Sequence, residues 1–223
     1  KEAGSIGEPL YLDIVSALKN KDIKIVGGRY GLSSKNTTPN DILSVYDMLD
    51  KELKDNFTIG ILDDVTNLSL PKSDYNFKTS SKEILIYGFG SDGMVSTSKD
   101  ILKIIGNNTN KYVQGYFEYD SKKSGGVTLS HLRISNSPIK EPYYVTKSDL
   151  LVITKDSYID KFDMFDKLKD NATVLINTNK NSKDLINLIP DSCKEIINNK
   201  NIRVLLIDAD TIAINNNIKG KIS

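Results

Sequence analysis

The second part of the chain alternates short apolar runs with polar stretches that have helical spacing. Six runs rich in β-branched and aromatic residues are predicted as strands, at 84–88, 112–119, 127–134, 150–154, 173–178 and 203–208. Helices are predicted between them, at 94–105, near 157–168 and at 182–199. Strands that alternate with helices indicate an α/β domain, and nearly continuous apolar runs indicate strands buried on both sides. We therefore expect a mostly parallel sheet covered by helices on both faces.

The first third of the chain has fewer regular elements. Two helices and two short strands are predicted there, at 8–20 and 38–53 and at 23–26 and 57–62. The second helix has a clear start: Thr38 can cap it, Pro39 takes the first helical position, and Asp41 lies near the positive end of the helix dipole. The long polar connection 63–82 follows. We expect a domain boundary within that connection.

Composition excludes several classes of protein. Hydrophobic residues make up 39% of the chain and charged residues 26%, which is far from the composition of a disordered protein. Thirty basic residues nearly balance 29 acidic ones, and a net charge of +1 argues against a broad nucleic-acid surface. No apolar run is long enough to span a bilayer. The chain is therefore expected to be soluble and intracellular, without nucleic-acid or membrane partners.

A glycine-rich turn lies between the first predicted strand of the α/β part and its helix. Residues 88–93, with the letters GFGSDG, fit the pattern G-x-G-x-x-G. Glycine lets the backbone approach a phosphate closely, and free N–H groups at the helix start can face the anion. The alternative is a glycine turn needed only for helix–sheet packing. Asp92 is an awkward neighbour for a phosphate, and it could instead cap the helix or bind a ligand hydroxyl or amine.

A second loop, 120–126, carries two lysines, two serines and two glycines after Asp120. Asp120 lies where a nicotinamide-binding domain has the acid that holds ribose hydroxyls. Lysine ammonium groups, hydroxyls and accessible backbone donors together suit a phosphate-rich group better than a ribose diol. The plainer alternative is an ordinary solvated turn.

Two single residues invite a chemical role. His131 is the only histidine, but its position inside a predicted strand favours a buried, hydrogen-bonded side chain. Cys193 is the only cysteine, which excludes an internal disulfide and a metal site built from cysteines. We expect Cys193 to be a small buried side chain.

Five stretches together resemble the pyruvate:ferredoxin/flavodoxin oxidoreductases. They are DSKKSGGVTLSHLR at 120–133, GFGSDG at 88–93 with IIGNNT at 104–109, KEAGSIGEPLYLD at 1–13, GGRYGLSSK at 27–35 and DDVT at 63–66. The stretches occur in family order over almost the whole chain, and beyond Leu151 the likeness is looser.

The resemblance implies an activity for a larger enzyme. Such enzymes convert pyruvate and coenzyme A to acetyl-CoA and CO2 with thiamine diphosphate and Mg2+, and pass electrons through iron–sulfur clusters to ferredoxin or flavodoxin. Residues 1–81 would be the rear part of a transketolase C-terminal-like domain, and 82–223 a gamma-like domain associated with coenzyme A. The implied partners are other domains of the same polypeptide, in a homodimer. The implied location is the cytoplasm, or a hydrogenosome-like organelle in an anaerobic eukaryote.

The resemblance also implies ligand contacts but no catalytic residue or metal ligand. The coenzyme A contacts would fall on Gly90, Ser91, Asp92, Gly93, Met94, Lys122 and Ser223. The family usually has threonine at the position of Met94 and asparagine at that of Ser223. A single cysteine cannot hold a four-iron cluster, which needs about four thiolates, and the acid-rich thiamine diphosphate motif is missing. The segment alone is therefore predicted to be inactive.

Two other functions fit the residues. A stand-alone nicotinamide dehydrogenase domain would use the glycine pattern and Asp120. A purely structural module would use both loops only for packing against neighbouring domains.

Overall fold

A computed structural model describes residues 6–32, 35–62, 64–90, 92–119 and 126–218. The chain divides into two compact units between Lys78 and Thr79, inside the polar connection. Among the described residues, no helix combines the length and the apolar character needed to cross a membrane.

The first unit contains two helices and a minimal parallel sheet. Its elements are α1 (Pro9–Ala17), β1 (Gly28–Arg29), α2 (Pro39–Leu49) and β2 (Phe57–Thr58). The small core contains Met48, Phe57, Ile59 and Leu70. The predicted strand 57–62 is shorter than expected because Gly60 adopts a positive φ of 77°, which ends the extended run.

The predicted start of α2 is confirmed. The Thr38 N–H donates to Asp41 Oδ2 over 2.7 Å, and the Asp41 N–H donates back to Thr38 Oγ1 over 3.4 Å, which makes a capping box. Further along the chain, the Asn40 side chain donates to the Tyr75 carbonyl and accepts from the Tyr75 N–H, both over 3.0 Å. The polar connection is thereby attached to the start of α2.

The second unit is a six-stranded mixed sheet with helices on both faces. Its strands are β3 (Lys82–Phe89), β4 (Tyr112–Tyr119), β5 (Val127–Ser135), β6 (Ser148–Ile153), β7 (Leu168–Asn177) and β8 (Arg203–Ile207). Its helices are α3 (Met94–Asn108), α4 (Ser182–Leu188), α5 (Asp191–Asn199) and α6 (Ala209–Asn215). The strand order is β4-β5-β3-β6-β7-β8. The pairs β3–β6, β6–β7 and β7–β8 are parallel, and only β5 runs against its neighbours. The predicted α/β fold with a mostly parallel sheet is confirmed.

Alternation along β3 separates two cores. Ile86 faces α3 and packs with Met94 and Leu132. Leu85 and Tyr87 face the opposite side, where the larger core includes side chains from α4 and α5. The helices therefore cover both faces, as the sequence predicted.

Two predicted helices differ from the structure. The stretch near 157–168 is not an α-helix but two 3-10 turns, Asp156–Tyr158 and Phe165–Lys167, whose aromatic side chains are buried in the larger core. The predicted helix 182–199 is split into α4 and α5 at Pro190. Proline lacks an N–H and disfavours helical backbone in the residue before it, and Ile189 accordingly has an extended ψ of 123°.

Candidate anion site at the carboxyl edge of the sheet

Most strands of the second unit end at one edge of the sheet. Strands β3, β4, β6, β7 and β8 run in the same direction, so their carboxyl ends share this edge, and the antiparallel β5 begins there. The Gly90 N–H donates to the Gly126 carbonyl over 2.8 Å. The glycine-rich turn therefore contacts the residue that follows the segment 120–125.

The glycines of the turn have separate steric roles. A Cβ on Gly88 would lie 2.8 Å from Met94 Cβ and 2.9 Å from Thr128 Oγ1, so only glycine allows α3 to pack this close to the sheet. Gly93 directly precedes α3 and has a φ of 97°, a backbone conformation that is strained for residues with a side chain. A Cβ on Gly90 would meet only the Gly126 carbonyl, at 3.1 Å. Packing therefore explains Gly88, and backbone conformation explains Gly93.

Asp92 connects the end of β3 to the start of α3. Its carboxylate accepts from the Phe89 N–H over 2.7 Å and from the Met94 N–H over 2.8 Å. Of the roles considered from the sequence, the helix-capping one is confirmed, and a carboxylate at a helix N-terminus is electrostatically favourable. It also takes up one of the N–H groups that a phosphate could have used.

The predicted contacts divide into two groups. The structure brings Gly90, Asp92, Gly93 and Met94 together in one turn, and the Met94 side chain is buried in the smaller core. Met94 therefore has neither an exposed side chain nor an unused N–H to offer, because Asp92 holds that N–H. The predicted contacts Ser91, Lys122 and Ser223 lie outside the described residues.

The loop after β6 adds residues that the sequence reasoning missed. The Thr154 N–H and hydroxyl both donate to the Tyr87 carbonyl, over 3.1 and 2.9 Å, so this loop starts beside the end of β3. The Lys155 ammonium lies 4.6 Å from the centre of the Phe89 ring. The signal for this loop was its place after the apolar run LLVIT, since ligands of open α/β sheets bind outside the carboxyl ends of strands.

Asp156 and Tyr158 complete that loop. Burial works to raise the pKa of Asp156, but hydrogen bonds from Lys180 and Thr178 outweigh it and hold that pKa below its ordinary value. Burial and the negative charge of Asp92 raise the pKa of Tyr158 to about 12. The Tyr158 hydroxyl is buried and has no hydrogen-bond partner in the described part of the chain. It therefore stays protonated at neutral pH.

His131 lies in the middle of β5, away from this edge. The prediction that it is buried is confirmed, since 3% of its surface is exposed. The expected hydrogen bond is wrong: neither ring nitrogen has a partner among the described residues, and the ring stacks on Tyr144 with centroids 4.6 Å apart. The Glu118 carboxylate lies 3.6 Å from Nε2. Cys193 was expected to be buried, but it is only partly buried against the larger core; this burial raises the pKa of its thiol.

The fold of this chain is similar to that of a solved protein. It resembles the crystal structure of pyruvate oxidoreductase subunit PORC from Thermotoga maritima, with a TM-score of 0.51 and 19% identity over 65% of this chain and 71% of that one. The likeness concerns the fold alone.

Sequence comparison defines the family. The family model described as pyruvate ferredoxin/flavodoxin oxidoreductase matches residues 83–222, which is more than half of the chain. The chain belongs to this family. It is 44% identical to the pyruvate-flavodoxin oxidoreductase of Enterobacter agglomerans and 41% identical to the pyruvate:ferredoxin oxidoreductase of Moorella thermoacetica. Each alignment covers 96% of this chain and 19% of the relative, so the chain spans about a fifth of their length.

Proposed function

We propose that this chain is the coenzyme A-binding and scaffolding segment of a pyruvate:ferredoxin or flavodoxin oxidoreductase. The whole protein would convert pyruvate and coenzyme A to acetyl-CoA and CO2, and transfer electrons to ferredoxin or flavodoxin. The single observation that carries the proposal is the hydrogen bond between Gly90 and Gly126. It joins the glycine-rich turn to the end of the lysine-bearing loop at the edge where α/β sheets bind ligands.

The residues at this edge suit binding rather than bond-making. The first N–H groups of α3 have no hydrogen-bond partner within the helix. A phosphate can accept hydrogen bonds from those N–H groups that do not already donate to the Asp92 carboxylate. Lys122 would add a charge-assisted contact. Held in this way, the nucleotide end of coenzyme A would be fixed while its thiol reaches a reaction centre in another part of the protein.

The remaining cofactors of the proposed reaction would be held elsewhere in the whole protein. One cysteine in the chain does not fit a four-iron cluster, which needs about four thiolates. Thiamine diphosphate, Mg2+ and iron–sulfur clusters would supply the decarboxylation and electron-transfer chemistry. We propose other domains of the same polypeptide as partners, with the first unit as the rear of a transketolase C-terminal-like domain and the whole protein as a homodimer.

The test is calorimetric titration of coenzyme A into the whole protein and its Lys122→Ala variant. We expect the substitution to weaken binding by about 1–3 kcal/mol, the usual scale of a charge-assisted contact. Reduction of an artificial electron acceptor by pyruvate should change less. Lys103→Ala is a matched control, since Lys103 is an exposed lysine of α3 that pairs with Asp100 over 3.5 Å.

Three outcomes would redirect the proposal. Unchanged coenzyme A affinity in Lys122→Ala would remove that residue from the site. Saturable NADH binding that is indifferent to Lys122→Ala would favour a nicotinamide site. A folded protein that binds neither ligand would favour the purely structural module. The close packing at Gly88 and the positive φ of Gly93 also fit that role.

A further inference from the structure

The strand order indicates a ligand crevice at the carboxyl edge, between the loops after β3 and β6. From β3 the chain passes through α3 to β4 and β5 on one side, whereas β6 pairs with β3 on the other side. Ligands of open α/β sheets bind where neighbouring connections diverge in this way. The two hydrogen bonds from Thr154 to the Tyr87 carbonyl keep the two loops adjacent at their starting points.

An anion in this crevice needs positive charge from a side chain. The Asp92 carboxylate already occupies the start of α3, and it repels a phosphate there. The neighbouring Lys180 is engaged, because its ammonium pairs with Asp156 over 2.5 Å. Within the described part of the chain, Lys155 has no carboxylate partner, and its ammonium instead lies over the Phe89 ring.

The Phe89 ring restricts where the Lys155 charge can be. The ring belongs to the last residue of β3, directly before Gly90, so a cation 4.6 Å from its centre lies beside the glycine-rich turn. A cation–π contact at an exposed site is worth about 0.5–1 kcal/mol, enough to favour this position without fixing it. The ammonium keeps its hydrogen-bond donors for a ligand.

We propose that Lys155 is a second phosphate-contacting residue of the coenzyme A site, positioned by Phe89. This inference rests on the proposed function. Lys155 would offset the charge of Asp92 on the β6 side of the turn.

The experiment measures the affinities of coenzyme A and dephospho-coenzyme A for the whole protein and for Lys155→Ala. We expect a loss of about five- to twentyfold for coenzyme A, since the contact is charge-assisted but partly screened by solvent. A loss confined to coenzyme A assigns Lys155 to the 3′-phosphate, and an equal loss for both ligands assigns it to the diphosphate. Lys161→Ala, an exposed lysine of the same connection, should bind as the parent does.

Failure of this inference is distinguishable from failure of the proposed function. If the parent protein binds coenzyme A and Lys155→Ala binds it within twofold, the role of Lys155 is overturned and the proposed function stands. An equal loss in Lys161→Ala would also overturn it, because the effect would then be general charge attraction. If the parent does not bind coenzyme A at all, the proposed function and this inference both fall.

Discussion

The buried ion pair between Arg133 and Glu83 allows a quantitative test of what stabilises the second unit. Only 1% of the Arg133 side chain is exposed, and its Nε donates to Glu83 Oε1 over 2.8 Å. Its Nη1 donates to Gln114 Oε1 and to the Tyr143 carbonyl, over 2.9 and 2.6 Å. The pair joins β5 to β3, the strand that ends at the glycine-rich turn. The perturbation is Glu83→Gln, which removes the charge and keeps the shape.

The expected cost follows from burial. Removing one partner of a buried ion pair costs about 3–5 kcal/mol, because the other charge is left uncompensated. Glu83→Gln should lie near the lower end, about 3 kcal/mol, since the amide oxygen can still accept from Arg133. Lys169 also pairs with Glu83, over 3.0 Å, but 29% of its side chain is exposed. Lys169→Ala should therefore cost about 1 kcal/mol, as partly exposed pairs do.

Hydrogen exchange of backbone amides measures this cost locally. The peptides to follow cover 82–89 and 127–135, the paired strands β3 and β5. A loss of about 3 kcal/mol should speed their exchange by about a hundredfold, because each 1.4 kcal/mol is a factor of ten. Lys169→Ala is the internal comparison. Exchange in Glu83→Gln within threefold of the parent, or an equal effect of Lys169→Ala, would refute the reasoning.

The same network predicts a pH window. Burial works to raise the pKa of Asp149, but hydrogen bonds from Lys169 and the Glu83 N–H outweigh it and lower that pKa. The contribution of Asp149 is therefore present above its unfolded pKa of about 4 and is lost as pH falls through the lower folded value. Burial works to lower the pKa of Lys169, but hydrogen bonds to Asp149 and Glu83 outweigh it and raise that pKa. The contribution of Lys169 to stability is therefore complete below its unfolded pKa of about 10.4 and is lost as pH rises through the higher folded value. Protection of β3 should accordingly be flat between these limits.

Three smaller predictions concern single side chains. Gly93→Ala should destabilise the second unit by about 1–2 kcal/mol because of its positive φ, whereas Gly106→Ala, inside α3, should change stability little; denaturant unfolding followed by circular dichroism compares them. Tyr158→Phe removes a buried hydroxyl without a partner in the described residues, so hydrogen exchange should report a loss below about 1 kcal/mol, and a loss above 2 would reveal a missed hydrogen bond. Cys193 should react with iodoacetamide at pH 8 more slowly in the folded protein than after unfolding in urea, because burial raises the pKa of its thiol; equal rates in the two states would contradict this.

The sequence was most informative where the local signals agreed. The six strands of the α/β unit were predicted from short apolar runs rich in β-branched residues; inner strands such as β5 are buried on both faces, whereas the edge strand β8 alternates between exposed and partly buried residues. The start of α2 was predicted because Thr38, Pro39 and Asp41 all favour the same residue as its beginning. The division of the chain falls within the predicted polar connection.

The sequence was less informative where tertiary packing decided the outcome. The stretch near 157–168 has helical spacing, yet its backbone forms two 3-10 turns that place Tyr158 and Phe165 in the core. The position of Lys155 over Phe89 depends on the pairing of β3 with β6, although 59 positions along the chain separate the end of β3 at Phe89 from the start of β6 at Ser148. No local pattern records such a pairing.

The glycine pattern carries less weight for ligand binding than its resemblance to a nucleotide motif indicates. Gly88 is required by the contact of α3 with the sheet, and Gly93 by its positive φ, so neither needs a ligand to explain it. Asp92 adds a negative charge at the point where a phosphate would gain most from the helix dipole. An anion can then be held only if cations from the adjoining loops outweigh that carboxylate. The affinity of this edge for coenzyme A should therefore depend more on Lys122 and Lys155 than on any of the glycines.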